Sequence, residues 1–240
     1  EPSRRQRQMC IRDRIMTGQK ENNSKIKTEY DDALAFFKQG ASLRAIKSIN
    51  SYLKKNPNSK EGFILSAIIN AYALDKFEEA IVDIDNALDI DNEYAYAHAL
   101  KAEIFYFDLG GSLSKSQGYL EKAISLSPDD PHINFVAGDI QFDNGFVVLG
   151  GDTFDLDKKS RNKKDLSLKS FEDAKKSFEK TLANIDNESF KNSLSESTFI
   201  LGTRYTTTAL LGDTKFELYF LYRDKKERPT AKKYLEEALE

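Results

Sequence analysis

Few side chains in this sequence have the types and spacing to do chemistry. The two histidines, His98 and His132, stand in no zinc-type spacing and beside no nucleophile signature. Both read as surface or groove residues. Asp152, Asp155 and Asp157 place three hard oxygen ligands in one short stretch, as a calcium loop would. Their D-x-x-D-x-D spacing lacks the alternate ligands, the central glycine and the closing glutamate of that motif, so they read as a solvated loop. Gly150-Gly151 is not followed by Gly-Lys-Ser/Thr and is no phosphate loop. Lys158, Lys159, Arg161, Lys163 and Lys164 form a basic cluster in the same stretch. A solvated segment explains it, and a phosphate or acidic-partner contact is the competing reading. No catalytic, cofactor-binding or metal set emerges, so a non-catalytic protein without a cofactor is expected.

The bulk properties narrow the class further. The chain has 240 residues, 40% hydrophobic and 31% charged, enough for an ordinary globular core. Trp is absent, but 16 Phe and 11 Tyr supply large apolar area. No apolar run approaches the ~18 residues that a membrane-spanning helix needs; membrane association stays open. A formal charge of −3 implies no general attraction to nucleic acid.

The first fourteen residues differ in kind from the rest. They hold five of the ten arginines and the single cysteine, Cys10. The string RRQRQMCIRD resembles a translated sequencing adapter, and a basic targeting arm is the alternative. A secretory signal would continue into an apolar stretch, whereas TGQKENNSKIKTE is polar. Residues 1–25 are therefore expected to be a non-native or disordered leader. Without the prefix, 31 basic residues face 37 acidic ones, and no disulfide or cysteine metal site is possible. The excess of Lys over Arg reflects an AT-rich coding bias, of a kind found in bacteria. It does not choose between cytoplasm and periplasm.

What recurs along the chain is a spacing. Ala45, Ile49, Tyr52, Leu53 and Pro57 are echoed by Ala80, Ile84, Ala87, Leu88 and Asn92. Ser116, Leu120, Ala123, Ile124 and Pro128 follow, then Ala174, Phe178, Thr181, Leu182 and Asp186, and last Ala231, Leu235, Ala238 and Leu239. Positions i, i+4, i+7 and i+8 lie on one side of an amphipathic helix. Successive copies start 35, 36, 58 and 57 residues apart, the period of stacked helical hairpins. Helices are predicted over about 26–39, 42–55, 59–73, 77–90, 93–109, 113–126 and 131–143. Gly40 stops the first, Asn56-Pro57 the second, and Asn58 with Glu61 is a cap pair for the third. Asp130 and Pro131 suit a cap and first helical position. The longer intervals imply two inserts. The first, 145–168, reads as a long loop rich in glycine and charge. The second, within 187–212, reads as an extra helix or as a lengthened first helix of the fifth unit. Thr206, Thr207 and Thr208 lower helix propensity there.

At this level the chain resembles the tetratricopeptide repeat (TPR) family, whose unit of 34 residues has small residues at positions 8, 20 and 27. Counting from Ile26, the matched positions are Ala33, Phe36, Ala45, Ile49, Tyr52 and Pro57. From Glu61 they are Ile68, Ala71, Ala80, Ile84, Ala87 and Asn92, and from Ala95 they are Ala102, Phe105, Ser116, Leu120, Ala123 and Pro128. From Pro131 they are Gly138, Gln141, Ala174, Phe178 and Thr181. The last unit, with Tyr219, Tyr222, Ala231, Leu235 and Ala238, matches less closely. The resemblance covers about 26–240 apart from the inserts: TPR-like repeats over 26–144 and again over 169–240. It implies an all-α, right-handed superhelical solenoid of antiparallel helix pairs.

The resemblance also implies a concave groove lined by the first helix of each unit. The matching residues are Tyr30, Leu34 and Phe37, then Leu65, Ile69 and Tyr72, then Tyr96, Ala99, Glu103 and Tyr106, then His132, Phe135, Asp139 and Phe142. Aromatic residues of this sort anchor interfaces, although they can equally pack between neighbouring helices. The expected partner is a protein or peptide segment, apolar with basic residues. Family members that hold acidic chaperone tails use basic groove residues. Tyr30, Leu34, Ser66, Tyr96 and Leu100 occupy those positions here, so that activity is not expected. The expected function is a protein–protein interaction scaffold. The alternative is an envelope or lipoprotein-type assembly component using the repeats as structure.

Overall fold

The computed structural model describes residues 28–109, 113–151, 156, 159–187 and 204–239. The leader predicted over 1–25 lies outside them. The described residues form ten α-helices and no strand. These are α1 (Glu29–Lys38), α2 (Ser42–Lys55), α3 (Lys60–Leu74), α4 (Phe77–Ile90), α5 (Ala95–Phe107), α6 (Leu113–Leu126), α7 (Pro131–Leu149), α8 (Arg161–Asn184), α9 (Arg204–Asp224) and α10 (Arg228–Leu239). The chain divides into two compact units, one running to Ala97 and the other from His98. No helix among the described residues is long and apolar enough to cross a membrane.

In the first unit α1 packs on α2 and on α3, and α3 packs on α2 and α4. Thr28 caps α1: its hydroxyl accepts from the Asp31 amide at 3.2 Å, and its own amide donates to the Asp31 carboxylate at 2.9 Å. Gly40, at φ +72°, ends the pair's first helix. Helix α3 is capped by Ser59, which accepts from Gly62 N at 3.1 Å, and not by the predicted Asn58. Every residue from Ile64 to Ala71 is buried. A helix apolar on all sides must be covered on all sides, which is why α3 sits among three others.

The second unit is built on α7 and α8, of 19 and 24 residues. Asp130 accepts from His132 N at 2.8 Å and Ile133 N at 3.4 Å, with Pro131 at the first helical position. Two glycines then set the register. A Cβ on Gly138 would lie 2.5 Å from the Phe178 ring, and one on Gly145 would lie 2.6 Å from the Phe171 ring. Each ring thus occupies the volume a side chain would need. Seven residues separate the two glycines and seven the two phenylalanines, and the order reverses between helices, so the pair is antiparallel. Asn144 donates to Ser170 Oγ at 2.8 Å and Thr181 Oγ1 to Pro131 O at 3.1 Å, satisfying polar groups along the same seam.

The predicted loop over 145–168 is therefore mostly helix. Residues 145–149 extend α7 and 161–168 begin α8. Gly145 is not a breaker, because its missing side chain admits Phe171, while Leu149 and Leu168 join the same core. Gly150, at φ +75°, ends α7. In the second insert, residues 204–212 lengthen α9, and 188–203 lie outside the described residues. Within this helix Thr208 and Thr214 donate to the carbonyls of Arg204 and Leu210, at 2.8 and 2.6 Å, which satisfies their hydroxyls.

Candidate functional site

The leading residues of the recurring stripe are buried in the first four copies, and in the fifth only Ala231 is, with Leu239 79% exposed. Ala45 and Ile49, Ala80, Ile84 and Ala87, Ser116, Leu120 and Ala123, Ala174, Phe178 and Thr181, and Ala231 are all inaccessible to solvent. Such burial places the stripe inside and leaves the first helix of each pair to present whatever face is functional.

Most of the predicted groove residues do not present themselves. Leu65 and Ile69 are wholly buried, and Phe37 and Tyr96 nearly so. They belong to the packing of the first unit, because α3 has neighbours around its whole circumference. Tyr30 is half-buried against Tyr52, with ring centroids 5.5 Å apart, and Tyr72 is half-buried too. Burial, then the charge of Glu61, pushes the Tyr30 hydroxyl above the ordinary phenol range. On α7 the correction is sharper. Phe135 meets Phe178 at 6.0 Å and Phe142 meets Phe171 at 5.8 Å between centroids. The lengthened α8 covers both rings. His132 is enclosed as well, and burial holds its imidazole well below the usual histidine range, so it is neutral at pH 7.

Two of the predicted residues, Tyr106 and Asp139, come together with Asp143, which was missed. Tyr106 on α5 donates to the Asp143 carboxylate on α7 at 3.1 Å. Burial first, then the Asp143 charge and hydrogen bond, then the charge of Asp139, push the Tyr106 hydroxyl above its ordinary range. Asp139 and Asp143 are one turn apart on α7, and Glu103 is one turn before Tyr106 on α5. Both aspartates are half-buried, as is Glu103. Tyr106 is itself buried in a core cluster with Leu120, Val136 and Ile140, so the partly exposed groups here are the carboxylates of Glu103, Asp139 and Asp143. The i, i+4 relation to Asp139 was the signal that could have found Asp143.

A second aromatic surface escaped the sequence reading. On α9, Phe216 is 39% and Tyr205 70% exposed, and Phe216 stands edge-on to Phe220 at 4.9 Å. Its signal was the stripe Thr207, Leu211, Thr214, Leu218, Leu221, all buried, which turns Phe216 outward.

The remaining candidates have structural explanations. Lys159 Nζ donates to the Gly150 carbonyl at 2.9 Å, a cation at the C-terminus of α7. Lys164 pairs with Asp224 at 2.8 Å, and Arg161 lies 4.0 Å from Asp165. The basic cluster therefore ties the α7–α8 connection and the end of α9 together. His98 stacks on Tyr119, at 6.5 Å between centroids. Asp152, Asp155, Asp157 and Lys158 lie outside the described residues. Among the described residues no group of three or more His, Cys, Asp or Glu could hold a metal ion. The chain matches no protein-family model and no curated protein.

Proposed function

We propose that this chain is a non-catalytic, TPR-like helical-repeat scaffold that captures an apolar protein segment carrying Lys or Arg. The observation that carries the reading is the Tyr106–Asp143 hydrogen bond, flanked by Asp139 and Glu103. These carboxylates favour a cationic side chain and repel acidic tails. The recurrent stripe, the packing of neighbouring helices and the antiparallel α7–α8 pair support the repeat assignment. The capture site is narrower than the sequence-derived groove: Glu103, Tyr106, Asp139 and Asp143 rather than the full set of fourteen.

A displayed peptide library screened against the 240-residue chain tests this. Enrichment of segments with Lys or Arg among apolar residues is expected. Asp139→Lys and Asp143→Lys should each weaken the selected peptides about tenfold or more, with the helical fold retained by circular dichroism even where the lost Tyr106 hydrogen bond lowers the stability of Asp143→Lys. Selection of acidic peptides, or equal binding by both variants, would remove the reading.

A further inference from the structure

In the first unit the second helix of each pair carries charge of one sign only. Helix α2 holds Arg44, Lys47, Lys54 and Lys55 and no carboxylate, whereas α4 holds Glu78, Glu79, Asp83, Asp85 and Asp89 and no cation. Opposite the buried Ala45 and Ile49, the outward stripe of α2 is Leu43, Lys47, Asn50 and Lys54, all exposed. The equivalent stripe of α4, 35 residues on, is Glu78, Val82, Asp85 and Asp89, of which only Asp85 is half-buried. Leu43 is 77% and Val82 59% exposed. Arg44 lies over Phe36 and Lys55 pairs with Glu29, so those two cations are engaged within the chain. Among the described residues, the side chains of Lys47, Lys54, Glu78 and Asp89 make no hydrogen bond or ion pair. Short connections join α2 to α3 and α3 to α4, and α3 packs on both, so α2 and α4 run in the same direction.

We propose that this face pairs with the same face of a second copy about a two-fold axis parallel to α2 and α4, so that α2 of each copy lies on α4 of the other. The repeat offset sets position 54 level with 89 and 47 level with 82, and rotation about that axis keeps the levels. Lys54 then meets Asp89 of the partner subunit, and Lys47 falls beside Val82 of the partner subunit and one turn from Glu78 of the partner subunit, each twice by symmetry. A two-fold axis across the helices would instead set α2 on α2, basic on basic. A partner of one charge would satisfy one helix and oppose the other. Each helix is 14 residues, so ~21 Å long, and two such stripes make a small contact. The dimer is therefore reversible, and its exposed ion pairs make it salt-sensitive.

Sedimentation equilibrium of the 240-residue chain over a concentration series, at low and at high salt, tests the proposal. A reversible monomer–dimer equilibrium that weakens with salt is expected. Lys54→Glu alone and Asp89→Lys alone should each raise the dimer dissociation constant about tenfold or more, because each sets like charges opposite one another twice. Mixing the two variants restores complementary pairs and should restore dimer, as should the double variant K54E/D89K. Both positions are exposed, and circular dichroism should show unchanged folding. A chain that stays monomeric at every concentration in low salt overturns the proposal, as does a dimer indifferent to both charge reversals. Reversals that lower monomer stability and leave association unchanged overturn it too, since they assign the charges to attraction between α2 and α4 of one copy.

Discussion

Helices α7 and α9 are close in length, 19 and 21 residues, and belong to the same compact unit. Each carries phenylalanines that a sequence reading could take for interface anchors. On α7, Phe135 and Phe142 are covered by Phe178 and Phe171 of α8. On α9, Phe216 touches Tyr219 and Phe220 of its own helix and remains exposed. Aromatic content thus says little about which face is free. What decides it is whether a neighbouring helix is long enough, and shaped closely enough, to cover the ring. The glycines of α7 provide that shape.

The sharpest way to break the comparison is to empty the covered seam. Phe178→Ala should cost about 3–5 kcal/mol in a denaturant titration, through lost transfer energy and a cavity where Gly138 leaves no side chain to collapse inward. A loss under ~1 kcal/mol would mean that the seam is loosely packed. Gly138→Ala should cost about 1–3 kcal/mol by overpacking, although alanine is the better helix former by about 1 kcal/mol. In the Phe178→Ala background the same substitution should become neutral or favourable. Additive effects would show that Phe178 is not what Gly138 accommodates.

A smaller effect is expected from His132. Its folded pKa lies below the unfolded value of about 6.5, so the unfolded state binds the proton first. Stability from this residue is complete above that value and falls as pH drops below it. Between pH 7 and 5.5 the wild type should lose about 1 kcal/mol more than His132→Phe. Equal losses would place the histidine in water. The smallest effect belongs to the exposed face: Phe216→Ser should change monomer stability by less than about 0.5 kcal/mol. A large loss there would erase the contrast between the two helices.

Much of the secondary structure was legible in the residues. The i, i+4, i+7 stripe located α2, α4 and α6 closely, because burying one side of a helix imposes a period that composition alone reveals. The candidate site was less legible. Tyr106 and Asp139 were named and do lie near one another, but Asp143 was missed, and Leu65, Ile69, Phe135 and Phe142 proved to be packing residues, as did the ring of Tyr106. The stretch 145–168 misled for a related reason. Glycine and clustered charge look alike in a solvated loop and in a helix whose glycine receives a neighbour's ring.

The sequence by itself determined the helical character, the spacing of the stripe and the cap at Asp130. These depend on contacts within a few residues, where spacing and side-chain type are sufficient. Tertiary structure alone decided which aromatic faces are covered. Phe171 and Phe178 reach Gly145 and Gly138 across more than twenty residues of chain, and no local pattern records that a ring will arrive where a side chain is missing. The exposure of Phe216 is decided at the same level: whether a distant segment folds over an apolar residue is a property of the packed molecule.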